Sequence, residues 1–86
     1  MKVESLVTMA NQIGAFFETM PDLDQARHDT ADHLRRSWDP RMRQLLLEHI
    51  DSKGVGGSGL TTFVYEALVA HRESLKPRGS VKTLPG

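Results

Sequence analysis

The sequence predicts an all-α protein: a small bundle of three to four short helices with a disordered C-terminal tail. Apolar residues recur at helical spacing, capping and proline signals separate the periodic stretches, and no strand pattern survives beside them. The chain has 86 residues, which allows one domain at most. We place the helical domain at residues 1–76 and the flexible tail at 77–86. A chain this short buries only roughly 60% of the surface its unfolded form exposes, so its own core is small.

The first helix is expected from about Val3 to Thr19. Val3, Leu6, Val7, Ala10, Ile13 and Phe17 keep the 3–4–3 spacing of one face. Glu4, Ser5, Thr8, Asn11, Gln12, Glu18 and Thr19 fall opposite. Met9, Phe16 and Met20 flank the stripe and widen the apolar arc to about 180°, against the roughly 100° that a core-facing helix needs. Gly14 lies near the stripe, where a missing side chain permits close helix approach at some cost in propensity. Pro21 ends the segment by pushing its predecessor out of helical geometry.

Asp22 is placed to cap a second helix, about Leu23 to Ser37. Its apolar face is weak: Leu23, Ala26, Ala31, Leu34 and Trp38, with Thr30 between and Arg27 close by. Such a helix needs packing to hold it. Asp39-Pro40 then starts a third helix, the aspartate capping and the proline losing no needed donor. That helix is expected to reach about Ser52, with Met42, Leu45, Leu46, His49 and Ile50 on one face and Leu47 off it. Lys53-Gly54 is a stop, and GVGGSG (54–59) reads as a plain flexible turn. It lacks the lysine followed by Ser or Thr that a phosphate loop requires. The last helix runs from about Thr62 to Leu75, capped by Thr61, with Phe63, Val64, Ala67, Leu68, His71 and Leu75 inward. Leu60 is placed to staple onto Tyr65. The final PRGSVKTLPG has no periodicity.

Lysine plus arginine equals aspartate plus glutamate, 11 of each, so the formal charge is zero. That argues against a dedicated nucleic-acid binder. No apolar run approaches the roughly 20 residues of a membrane span, and the N-terminal stretch does not read as a signal peptide. The expected location is the cytoplasm, with no membrane partner. No cysteine is present for a disulfide or a thiolate metal site. His28, His33, His49 and His71 contain no pair at the H-x-x-x-H spacing of a helical metal site. His49 and His71 fall on apolar faces and read as core or boundary histidines with one hydrogen bond. No catalytic set emerges: no catalytic, metal or cofactor-binding residues are assigned, and the chain is expected not to be an enzyme.

The densest constellation is HLRRSWDPRMR, residues 33–43. Arg35, Arg36, Arg41 and Arg43 stand there against Asp39, with Trp38 at a helix junction. One reading is an interhelix corner filled by Trp38. The other is a docking site, since tryptophan and arginine dominate interface hot spots.

Two stretches, MANQIGAFF (9–17) and HLRRSWDPRMR, together resemble the delta subunit of NAD-dependent molybdenum or tungsten formate dehydrogenase. The likeness is strong over about residues 3–50. It implies a non-catalytic accessory subunit that binds the large subunits, the alpha subunit first, and supports assembly, stability or molybdenum-cofactor maturation. It implies no cofactor in this chain. The complex would carry bis-molybdopterin guanine dinucleotide with Mo or W, iron–sulfur clusters and FMN on other subunits. The partner-binding set expected on this reading is Met9, Phe16, Met20, Arg35, Arg36, Trp38, Arg41 and Arg43, with Tyr65 and Val69 a second apolar margin. The alternatives are a small helical nucleic-acid-binding module, suggested by the sharp helix junction at Trp38-Asp39, and a self-associating helical protein that is a homodimer when isolated.

Overall fold

The computed structural model describes residues 2–77. The expected tail lies outside the described residues except for Pro77. Among the described residues five helices follow in order: α1 (Val3–Phe17), α2 (Leu23–Ser37), α3 (Pro40–Gly57), α4 (Thr62–Ala70) and α5 (Arg72–Leu75). No strand occurs among the described residues.

The caps fall where the sequence places them. Asp22 Oδ1 accepts from the backbone N–H groups of Asp24 and Gln25, each at 3.1 Å. Asp39 Oδ1 accepts from Met42 N–H at 3.0 Å, with Pro40 opening α3. Thr61 Oγ1 accepts from Val64 N–H at 3.2 Å. Each bond satisfies a donor that has no partner inside its own helix.

α2 packs against α1, α4 and α5, and its contribution to the core is small in volume but complete. Ala26, Thr30, Ala31 and Leu34 are all buried, and Thr30 Oγ1 donates to Ala26 carbonyl at 2.8 Å. The weak apolar face of the second helix therefore finds the packing it needs: small side chains let three neighbours close on it. On α1, Leu6, Ala10 and Gly14 form the inner line. A Cβ on Gly14 would stand 2.3 Å from Val64 Cγ2, so the absent side chain is what lets α1 and α4 approach.

Four expectations need correction. α1 stops at Phe17, two residues early, where Glu18 and Thr19 turn back onto the carbonyls of Gly14 and Phe16. Leu47 is buried at 4% exposure rather than projecting off α3, because α5 packs over that side. Gly54 does stop the regular helix, at φ 70° and ψ −175°, yet a further helical turn runs on to Gly57. The following Ser58 is buried, so the 54–59 stretch is a built turn rather than a plain linker. The last helix breaks at His71 (φ −116°, ψ 25°), which divides it into α4 and α5. Leu75, beyond the break, is buried with the core.

Candidate partner-docking face

The inner line of α1 leaves an outer one. Met9 is 37% exposed and Phe16 is 71% exposed. Seven residues make two helical turns, so the pair shares one face, about 10 Å apart along the axis. Phe16 is held rather than dangling. Its ring meets Phe17 edge-on, with centroids 5.1 Å apart, and Phe17 in turn lies 5.9 Å from His33 on α2. Its carbonyl accepts from Thr19 Oγ1 at 2.8 Å. Met20 is half-buried at the edge of the core, as are Ile13 and Phe17. Leu23, expected inside, is 46% exposed at the first position of α2, while Ala26, three residues on, is fully buried. Val69 on α4 is 51% exposed and Tyr65 is half-buried.

The arginine-rich junction divides by depth. Trp38 is only 5% exposed and fills the corner between α2 and α3, so in this fold its ring faces the core. Arg43 is half-buried behind it. Its guanidinium donates to Leu75 carbonyl at 3.3 Å, while its Nε is buried without a partner. These two residues shape the corner from within. A cavity of about 10 Å³ lies beside them, lined with Leu34, Leu46, Leu47, Leu68 and Leu75. Arg35, Arg36 and Arg41 are exposed. Arg35 and Arg36 share one carboxylate, Asp32, at 2.7 and 3.1 Å. The Arg35 hydrogen bond, reinforced by the charges of Arg36 and His28, holds the Asp32 carboxyl below its ordinary range. Arg41 has no ion-pair partner among the described residues. The exposed end of α2 and the start of α3 thus carry three guanidiniums against two acids, Asp32, shared by Arg35 and Arg36, and Asp39, which caps α3.

Some working residues escaped the sequence reading. Asn11, read as a solvent-face residue, clamps the turn before α4: its side chain donates to Gly59 carbonyl and accepts from Thr61 N–H, both at 3.0 Å. His49 reaches Ser58 carbonyl at 2.8 Å, the single bond expected of a boundary histidine. An asparagine at the edge of an apolar stripe, matched to a Gly-rich turn 48 residues away, carries no local signal of that pairing. His28 and His71, unrelated in sequence, bring their rings to 5.4 Å. Burial, then the charges of His28 and Arg27, holds His71 below the ordinary histidine value.

Among the described residues, no group of three or more His, Asp or Glu side chains is placed to hold a metal ion. Iron–sulfur clusters need thiolates, and this chain has none to offer. The residues present therefore do not fit an iron–sulfur cluster. No helix among the described residues is long and apolar enough to cross a membrane.

Comparison with known proteins gives one positive finding. The family model for the NADH-dependent formate dehydrogenase delta subunit, FdsD, matches residues 5–68, from the first turn of α1 through most of α4. No curated protein and no solved structure matches the chain. The matched stretch contains the inner and outer lines of α1, the Trp38 corner and the Asn11 clamp, more than half of the sequence. This chain belongs to the family of formate dehydrogenase delta subunits, accessory members of a larger redox assembly.

Proposed function

We propose that the chain is a non-catalytic subunit that docks on the large, alpha subunit of a cytoplasmic formate dehydrogenase and supports its assembly, stability or molybdenum-cofactor maturation. The observation that carries the docking reading is Phe16: a ring 71% exposed, braced by Phe17 and two turns from the exposed Met9. A rigid aromatic side chain on an unpartnered face is what an interface hot spot requires, because little ordering cost remains to be met on binding. Met20 and Leu23 extend the apolar area. Arg35, Arg36 and Arg41 supply donors suited to carboxylates on the partner. On this reading the molybdenum or tungsten pterin centre, the iron–sulfur clusters and the FMN all reside on the larger subunits.

The test is co-purification with the large subunits from the native host. Phe16→Asp is expected to reduce recovery of the complex at least about tenfold, the loss of roughly one buried aromatic contact, while the free chain keeps its helical circular dichroism. Undiminished recovery removes this face from the interface. Metal analysis of the enzyme made without the chain separates the roles: normal molybdenum or tungsten content excludes maturation and leaves structural support.

A further inference from the structure

The joint between α4 and α5 is built around two histidines from different helices. The His28 ring on α2 meets the His71 ring edge-to-face, with centroids 5.4 Å apart and planes at 77°. His71 is the joint itself, so its ring contact and its backbone bend belong to one residue. Beyond it, α5 closes one end of the bundle, held by buried Leu75 and by the Arg43 bond to the Leu75 carbonyl. A cleft of about 220 Å³ opens beside the pair, lined by His28, Ala31, Asp32, Arg35, His71 and Ser74.

The surroundings of His71 offer a proton little compensation. From α2 come Arg27, His28, Asp32 and Arg35. Asp32 is already bound by Arg35 and Arg36, at 2.7 and 3.1 Å, and Asp29 stands 3.5 Å from His28. From α4, Glu66 faces Arg27 at 3.6 Å. From α3, Asp51 is bound to Arg72 at 2.6 Å, and within α5 Glu73 is bound by Lys76 at 3.0 Å. Every one of these carboxylates has a cationic or imidazole partner other than His71.

We propose that the His28–His71 contact is a proton-sensitive latch, which holds α5 against α2 while the His71 ring is neutral and loosens it when that ring takes a proton. With the joint open, the His71 ring is hydrated and removed from His28 and Arg27, so it binds a proton more readily than when the joint is closed. Opening therefore gains ground as pH falls below the ordinary histidine value of 6.5, and the gain is complete once pH is below the lower, closed-joint value. Well above 6.5 the His71 ring is neutral whether the joint is open or closed, and the latch is indifferent to pH. The response stays local because α5 has four residues and only Leu75 of them is buried.

The test uses the intact chain, with histidine ring titration by NMR and amide exchange corrected for its intrinsic pH dependence. The reporters are the Ser74 and Lys76 amides, bonded to His71 and Arg72 carbonyls at 3.1 and 3.2 Å. Their opening is expected to rise about threefold or more between about pH 7.5 and about pH 5.5, while amides in the middle of α2 stay protected. His71→Gln is expected to flatten that rise. His28→Gln, a change at an exposed ring, is expected to move the His71 midpoint upward and shrink the rise, and it keeps the test alive where His71→Gln does not fold. A His71 midpoint at or above 6.5 in the native chain, or an equal acid response in His71→Gln, overturns the latch.

Discussion

The two long faces of α1 are built to opposite tolerances. On the inner face Leu6 and Ala10 are fully buried, and Gly14 lies so near α4 that a methyl group would stand 2.3 Å from Val64 Cγ2. On the outer face Met9 is 37% exposed and Phe16 keeps 71% of its surface in water. A single fifteen-residue helix thus carries both a contact fitted to within an atom's width and a large aromatic side chain with nothing over it. The inner line governs whether the bundle forms. The outer line is free to serve association, because changing it leaves the packing of the core untouched.

The sharpest way to break this contrast is to fill the inner face. Gly14→Val places carbon atoms where Val64 already stands. Val64 is fully buried on a helix, and its branched side chain has few rotamers to retreat into. We expect a loss of about 3 kcal/mol, at the upper end of ordinary overpacking, read as a lower urea midpoint. A second pair of variants locates the clash. In a Val64→Ala background, Gly14→Ala should cost nothing further, since the neighbours that remain, Phe63 Cδ2 at 3.5 Å and the Cβ of position 64 at 3.7 Å, are ordinary contacts. A penalty that persists there would place the obstruction elsewhere than Val64.

A middle effect belongs to the junction between the two faces. Asn11 is half-buried and bridges α1 to the turn at Gly59 and Thr61. Asn11→Ala removes both bonds but leaves water able to reach the freed backbone groups, so the expected loss is about 1 kcal/mol by denaturant titration. A loss as large as that of Gly14→Val would make the clamp part of the fitted core. No change would make it an ornament of the surface.

How far the sequence foretells this division follows from what is local. Caps are local: Asp22, Asp39-Pro40 and Thr61 could be read because each acts on amides two or three residues away. The apolar stripe of α1 was legible for the same reason, as was the closeness implied by Gly14. The bend at His71 was not, because Leu68, His71 and Leu75 continue a helical pattern with no glycine or proline to interrupt it. Packing of α5 on α2 and α3 decides there, and local propensity yields to it. Leu47 was misjudged on the same account. The docking candidates show the limit most clearly. Met9, Phe16 and Met20 read as surplus apolar area and Trp38 as either a corner filler or a docking residue; in the fold Trp38 fills the corner with α3 while Phe16 is left outside. Which side of a wide apolar arc gets covered depends on the positions of neighbouring helices, and a single stripe does not encode them.

The smallest expected effect is the one that most sharpens the contrast. Phe16→Ala deletes the largest exposed ring of α1, and its edge-on contact with Phe17 goes with it. That contact is worth about 0.5 to 1.5 kcal/mol in a favourable setting and less in water. Alanine returns roughly half a kcal/mol through better helix propensity. The two nearly cancel, so the urea midpoint of the isolated chain should move by no more than about 0.5 kcal/mol in stability. A loss above about 1 kcal/mol would assign Phe16 to the fold and deprive the outer face of its independence. A midpoint that stays put, beside the collapse expected for Gly14→Val on the same helix, would show that α1 keeps its folding face and its outer face energetically separate.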